Sequence, residues 1–141
     1  MTKIKVVESE QKRIRELEFL SQTAVGFLEL SPKDDIYQFI GAQLKRLAEN
    51  SIIFVNSFDR ATDRVNVRAA WGLDRKAGAL ARILGRHPTE ISLAIDEEAR
   101  NSLSTGKLEK VPGGIYEFSF RRIPKTTCRA IEDLLDVGDI Y

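Results

Sequence analysis

The chain has 141 residues, of which 43% are hydrophobic and 30% are charged, and its formal net charge is +1. This composition predicts one soluble globular domain with enough residues for a core, and the balanced charge excludes nucleic-acid binding through bulk electrostatics. The single cysteine excludes an intrachain disulfide and a cysteine-rich zinc site. We expect a cytoplasmic protein, because the sequence contains no signal peptide and no membrane span.

The first predicted element is an amphipathic helix over residues 1–28. Its apolar residues recur in a three-four alternation, which suits the seam of a two-stranded coiled coil. Glu10 and Ser21 make the seam imperfect, and a single helix lying on its own domain is the alternative. The residues at the seam positions are Val7, Ile14, Leu17, Ser21, Ala24 and Leu28. The remaining residues, 29–141, are assigned to the domain itself.

A second helix is predicted after Leu30. Ser31 is a good N-cap, Pro32 suits the first helical position, and Asp34 follows three residues after the cap. The helix is expected to end near Asn50. Its predicted apolar face consists of Ile36, Phe39, Ile40, Leu44 and Leu47.

A β-hairpin is predicted next. The continuous apolar run Ile52–Val55 is typical of a central strand that is covered on both faces. After a turn at DRATDR, the segment RVNVRAAWG alternates between apolar and polar residues. The alternation places on one side of this strand Val65, Val67, Ala69 and Trp71.

The rest of the chain is predicted as helices and short strands. LDRKAGALARILG and DEEARNSLSTGK are helical patterns, with a strand Glu90–Ile95 between them. VPGGIYEFSFRRIP is predicted to be extended, because its aromatic residues alternate. A last helix runs from Pro124 to Gly138, and Ile140–Tyr141 begin a strand. The sequence therefore predicts an α+β fold with one sheet that has an antiparallel component.

This pattern of elements resembles a GAF domain. The phrases that carry the resemblance are SPKDDIYQFIGAQLKRLAEN, SIIFVNSFDRATDRVNVRAAWGL, GKLEKVPGGIYEFSFRRIP and CRAIEDLLDVGDIY. More closely, the chain resembles the GAF domains of archaeal multi-domain sensor histidine kinases, notably those of methanogens. The resemblance implies an antiparallel sheet with flanking helices, a signalling-type helix at the N-terminus, and further C-terminal strands that would follow Tyr141.

The resemblance has a physical consequence for the hairpin. A GAF-like domain that is incomplete at its C-terminus would leave the strand Ile52–Val55 without a neighbour on one side. Unpaired backbone groups on such a strand invite pairing with another chain. We therefore expect a homodimer or a larger self-association, through this edge or through the N-terminal helix.

The resemblance also implies a ligand pocket between the sheet and the helices of residues 73–105. Aromatic side chains are the candidates for its lining, namely Trp71, Tyr116, Phe118 and Phe120. Packing in an ordinary core is the alternative for these residues, since aromatic residues at strand spacing are commonly buried.

Cys128 and His87 are the candidates for holding a cofactor. Cys128 shares a helix face with Ile131 and Leu135, which favours a buried, unreactive thiol. Some sensor kinases similar to this chain carry haem on a GAF domain through a cysteine, so haem ligation by Cys128 is the specific alternative. His87 precedes Pro88 in a loop, where it is either a solvated residue or a ligand that lines the pocket.

No sequence motif indicates catalysis. The chain contains no phosphate-binding loop, no nucleophile elbow and no H-E-x-x-H zinc motif. The sequence therefore predicts a non-enzymatic sensory module that binds an unknown small ligand and acts on an adjacent kinase or sensor domain. A purely structural dimerisation module and a haem-based redox or gas sensor are the two alternatives.

Overall fold

The computed structural model describes residues 2–141, with side chains from residue 9 onward. Within this part the chain has an α+β fold, as predicted, and it divides into two compact units, one that ends at Ile36 and one over Tyr37–Tyr141. The helices are α1 (Thr2–Glu29), α2 (Ile36–Leu47), α3 (Ala77–Leu84), α4 (Glu97–Leu103), α5 (Gly114–Phe118) and α6 (Lys125–Leu135). The strands are β1 (Ile53–Asp59), β2 (Arg64–Trp71) and β3 (Ser92–Ala94), and 3-10 turns cover Asp74–Lys76 and Pro88–Glu90.

Helix α1 confirms the predicted N-terminal helix and leaves the predicted seam uncovered. Ile14 is 54% exposed, Leu17 is 60% exposed and Leu28 is 87% exposed. Val7, the first seam residue, lies outside the residues whose side chains are described. None of the described helices is long and apolar enough to cross a membrane.

Helix α2 begins later than the sequence pattern predicts. The amide of Ser31 donates to the Asp34 carboxylate at 2.7 Å, and the amide of Asp34 donates to the Ser31 carbonyl at 3.0 Å. These two bonds close a separate turn, so Ser31 does not cap the helix. The predicted apolar face is also wrong in part, because the buried residue of α2 is Gly41, while the exposed residues include Ile36, Leu44 and Leu47.

The sheet is antiparallel in the order β1-β2-β3. The hairpin is therefore confirmed, but the predicted positions of its two strands in the sheet are reversed. β2 is the central strand, and β1, which the continuous apolar run predicts to be central, is an edge strand. The expectation that this run lacks a neighbour on one side holds for the part of the chain that the structure describes.

A β-bulge in β2 changes which side chains share a face. Val55 lies opposite Ala69, whereas the next residue, Asn56, lies opposite Val67, so Arg68 is an extra residue in β2. Beyond the bulge the alternation is inverted. Val67 therefore faces the opposite side of the sheet from Ala69, and the prediction that all four alternating residues share one side is wrong.

The main core lies between one sheet face and helices α3, α5 and α6. Its buried members are Leu73, Leu80, Ile115, Cys128, Ile131 and Leu135. The predicted face of α6 is confirmed, because Cys128, Ile131 and Leu135, three and four residues apart, belong to this cluster. α4 is also confirmed, and the Asp96 carboxylate accepts the amide of Ala99 at its N-terminus at 2.8 Å.

The segment after Gly113 is a helix, so the prediction of an extended segment is wrong. Gly113 and Gly114 have φ angles of 87° and 68°, which turn the chain into α5. The Glu132 carboxylate of α6 accepts the amide of Ile115 at 2.9 Å. The first amides of a helix have no partner within the helix, and here Glu132 supplies the partner for Ile115. Because the two residues are 17 positions apart, no local sequence pattern reveals this bond.

The end of the chain also differs from the prediction. α6 ends at Leu135, before Gly138, because Asp136 adopts a left-handed conformation with φ of 51°. Ile140 is not in a strand. It packs against the main core, and its carbonyl accepts the amide of Val111 at 2.7 Å.

Candidate functional site

An apolar cavity of about 80 Å³ lies on the core side of the sheet. The strands contribute Phe54, Asn56, Val65, Val67 and Leu93, and the helices contribute residues that include Leu80, Ile115, Phe118, Ile131 and Leu135. The bulge is what places Val65 and Val67 together on this side. The cavity is about half the size of the engineered cavity, roughly 150 Å³, that holds benzene or xenon in another protein.

The cavity wall offers few polar groups. Apart from Asn56, its polar side chain is Ser119, which is 3% exposed and donates its hydroxyl to the Tyr116 carbonyl at 3.0 Å. Because the Ser119 hydroxyl already donates its hydrogen bond within the protein, it does not need a water molecule in the cavity as a partner. The arrangement therefore favours a small apolar occupant over a polar one.

Two of the four predicted aromatic residues line this cavity and two do not. Phe118 and Phe120 line it, and the Phe118 ring lies 6.2 Å from the Phe54 ring. Trp71 lies beyond the bulge on the other sheet face, where its ring contacts Gly41. Tyr116 has its ring 5.1 Å from the Lys125 ammonium and does not line the cavity.

Phe120 lines the cavity in an unusual backbone conformation. Phe120 and Arg121 have φ angles of 56° and 60°, which side-chain-bearing residues seldom adopt. The amide of Arg121 donates to the Tyr116 carbonyl at 2.8 Å, which fixes this conformation at the end of α5. Backbone strain of this kind is common at ligand sites, where the surrounding structure maintains it.

Cys128 belongs to the buried cluster but does not line the cavity. It is 2% exposed, and its thiol donates to the Ile123 carbonyl at 3.4 Å. Burial raises the pKa of the Cys128 thiol, and the nearby negative charge of Glu132 raises that pKa further. This environment favours the protonated thiol, which is a poor nucleophile and a poor metal ligand.

His87 is exposed and has a structural role. Its Nδ1 accepts the amide of Thr89 at 3.2 Å and lies 2.7 Å from the Thr89 hydroxyl. The imidazole therefore caps the 3-10 turn that begins at Pro88. Pro88 lines the cavity, whereas His87 does not.

These environments do not fit haem. A cavity of about 80 Å³ is far below the roughly 300 Å³ at which pockets for drug-sized ligands begin. The Cys128 thiol donates to the Ile123 carbonyl, and Nδ1 of His87 accepts the amide of Thr89. Ligation by either residue stays a prediction without support from this geometry, and we derive no chemistry through haem.

The two arginine side chains near the cavity, Arg121 and Arg122, already have partners within the protein. Arg121 forms ion pairs with Glu117 at 3.2 Å and Glu98 at 3.7 Å, and Arg122 donates to the Ala94 carbonyl at 2.8 Å. Among the described residues, no three His, Cys, Asp or Glu side chains come together as a metal site.

Sequence reasoning missed the aliphatic part of the cavity wall. Val67, Leu93 and Leu80 are among the residues that form it. Their alternation marks them as core, and the sequence gives no signal that the core beside them is incompletely filled. α5 contributes Ile115 and Phe118 to this wall, and the amide of Ile115 donates to Glu132, 17 residues further along the chain.

No protein-family model matches the chain, and comparisons with curated proteins and with solved structures found no significant match. The resemblance to GAF domains therefore depends on the sequence pattern alone and stays a prediction.

Proposed function

We propose that this chain is a non-catalytic sensory module of the GAF type. Its cavity binds a small apolar ligand, and helix α1 couples occupancy to an adjacent signalling domain such as a histidine kinase. The observation that carries the proposal is the apolar cavity, which is lined jointly by three strands and by helices of the core. A ligand can act there only if it binds two conformations of the module with different affinities.

The cavity wall suggests how the affinity for a ligand comes to differ between two conformations of the module. The five-residue helix α5 contributes Phe118, and the strained Phe120 follows it. Glu132 connects the start of α5 to α6 through its bond to Ile115. A ligand that fills the cavity stabilises one position of α5, and α6 responds through this bond and through the packing of Ile131.

Xenon is a suitable probe, because it is apolar, has the size of a small cavity and needs no polar contact. We expect methyl NMR resonances of Val65, Val67 and Leu80 to shift with xenon pressure and to saturate. The variant Val67→Ile fills the space and should abolish the shifts. Val55→Ile adds the same methylene on the opposite sheet face and should preserve them. The absence of saturable shifts in the parent protein would contradict ligand binding in this cavity.

A structural dimerisation module is the second candidate, and the uncovered seam of α1 favours it. In a parallel pair of α1 helices, Arg13 of each copy lies beside Glu18 of the other, at the positions where coiled coils place interhelical ion pairs. Neither residue has an ion pair among the described contacts. Glu10 would face its own copy and repel it, so the pairing is expected to begin at Ile14.

Sedimentation velocity tests this second candidate. Leu17→Asp should weaken association through α1, because it places two carboxylates in the apolar seam. Arg13→Glu should also weaken it, and Arg13→Glu with Glu18→Arg should restore it. If Leu17→Asp and the parent associate equally, then the seam is not an interface.

A further inference from the structure

The two edges of the sheet differ in how they are protected. β3 has only three residues, and arginine side chains donate to the carbonyl oxygens of two of them. Arg64 donates to the Ser92 carbonyl at 2.9 Å, and Arg122 donates to the Ala94 carbonyl at 2.8 Å. A short edge strand that is covered by charged side chains resists pairing with another strand.

β1 lacks each of these protections. It has seven residues and pairs with β2 alone, and no other backbone bond to it is present in the described part of the chain. From Ile53 to Phe58 the strand has no charged residue, no proline and no glycine. The bulge, which can protect an edge, is in β2 instead.

The β1 sequence is also self-complementary in an antiparallel arrangement. When Asn56 lies opposite Asn56 of a second copy, Phe54 lies opposite Phe58 and Val55 lies opposite Ser57. Aromatic pairs and hydrogen-bonding amide pairs are favourable cross-strand neighbours. No like charges meet anywhere along the pairing.

We propose that the free edge of β1 is a docking site for β1 of a second copy of this chain. The two strands pair antiparallel with Asn56 at the centre, and the two sheets join into one. This interface uses the backbone edge of β1, whereas the cavity uses the Phe54 and Asn56 side chains of the same strand, so the proposal extends beyond ligand binding and beyond the α1 seam. A protomer with both interfaces can form assemblies larger than dimers.

The test begins with Leu17→Asp, which removes association through α1. We expect this protein to form dimers in sedimentation velocity at high concentration. Adding Asn56→Lys or Asn56→Asp should give monomers, because like charges then meet at the centre of the pairing. An equimolar mixture of the two charged variants should recover dimers, since opposite charges then meet. Asn101→Lys, an exposed position on α4, is the matched control and should leave the dimer unchanged.

A second measurement needs no variant at Asn56. Amide hydrogen exchange in β1 of the Leu17→Asp protein should slow as the protein concentration rises, while exchange in β3 should stay constant. The proposal is overturned if this protein is monomeric at all concentrations, or if the mixed charged variants stay monomeric. Xenon binding is measured in the parent protein from the methyl groups of the cavity. The outcome for the β1 interface therefore does not decide whether the proposed ligand binding is correct.

Discussion

One face of the sheet lies against a glycine, and the other lies against a cavity. On the first face the Trp71 ring is so close to Gly41 that a Cβ atom at that position would overlap it. On the second face, Val65 and Val67 border about 80 Å³ of unfilled space. The single extra residue Arg68 separates the two patterns, because it inverts the alternation of β2. Local backbone register therefore decides which side chains of β2 pack toward Gly41 and which border the cavity.

Deleting Ala70, which lies between Ala69 and Trp71 in β2, is expected to have the largest effect. Without Ala70, Trp71 would take its place opposite Phe54, and the indole would turn toward the cavity side. We expect a loss of more than about 4 kcal/mol in the free energy of unfolding, or failure to fold, in urea denaturation followed by circular dichroism.

Arg68→Ala is the control for this deletion, because it retains the length and the register of β2. It removes only the stacking of the guanidinium over Tyr37, where the carbon lies 4.8 Å from the ring centroid. The expected cost is about 0.5–1 kcal/mol. Similar stabilities for the deletion of Ala70 and for Arg68→Ala would show that the register of β2 does not decide which face Trp71 occupies.

Gly41→Ala is expected to have the next largest effect. Alanine favours a helix by about 1 kcal/mol over glycine, but its methyl group meets the Trp71 ring and the overpacking costs about 1–3 kcal/mol. We therefore expect a net loss of stability in thermal unfolding. Gly78→Ala, in α3, has open space around its Cβ position and should be stabilising.

The contact between Gly41 and Trp71 can be isolated with a double mutant. Trp71→Phe removes the indole edge that Gly41 touches, and it also removes an indole N–H that has no hydrogen-bond partner in the described structure. In this background Gly41→Ala should cost less than in the parent. Additive effects of the two changes would rule out the close contact as the cause.

Replacing a valine by isoleucine on each face of the sheet is expected to change stability less, but it compares the two faces directly. Val67→Ile adds a methylene group into the cavity and should stabilise the protein by up to about 0.8 kcal/mol. Val55 is 8% exposed on the filled face, so Val55→Ile should destabilise it by about 1–3 kcal/mol. Urea unfolding of both variants measures the difference, and effects of equal sign would contradict the distinction between the faces.

Features that depend on neighbouring residues were predictable from the sequence. Periodicity identified α1, α3, α4 and α6, and the alternating segments identified the hairpin. The buried face of α6, with Cys128 and Ile131, was predicted correctly for the same reason. In each case the pattern repeats over several residues, so tertiary contacts reinforce a local preference.

The failures arose where distant contacts decide the structure. The amide of Ile115 is satisfied by Glu132, so α5 forms where aromatic alternation predicts an extended chain. The bulge at Arg68 has no sequence signature of its own, and it moves Trp71 away from the predicted pocket. Of the four aromatic candidates, Phe118 and Phe120 line the cavity, and the aliphatic part of its wall was missed.

The smallest expected effect concerns Cys128, which is buried on the cavity side. Burial raises the pKa of its thiol above the usual 9.0. As the pH rises past 9.0, the unfolded chain releases this proton while the folded chain retains it, so folding becomes less favourable. The stability difference between the parent and Cys128→Ala should therefore be constant below this pH and shift against the parent above it.

Urea unfolding at several pH values from 7 to about 10 measures this difference, and subtracting the variant cancels the lysine and tyrosine groups that titrate in the same range. Alkylation by iodoacetamide gives an independent check, because a protonated, buried thiol reacts slowly until the protein opens. A stability difference that does not change with pH, together with rapid alkylation of the folded protein, would mean that the thiol reaches solvent. The cavity side would then open far more readily than the side filled by Trp71, which would sharpen the contrast between the two faces.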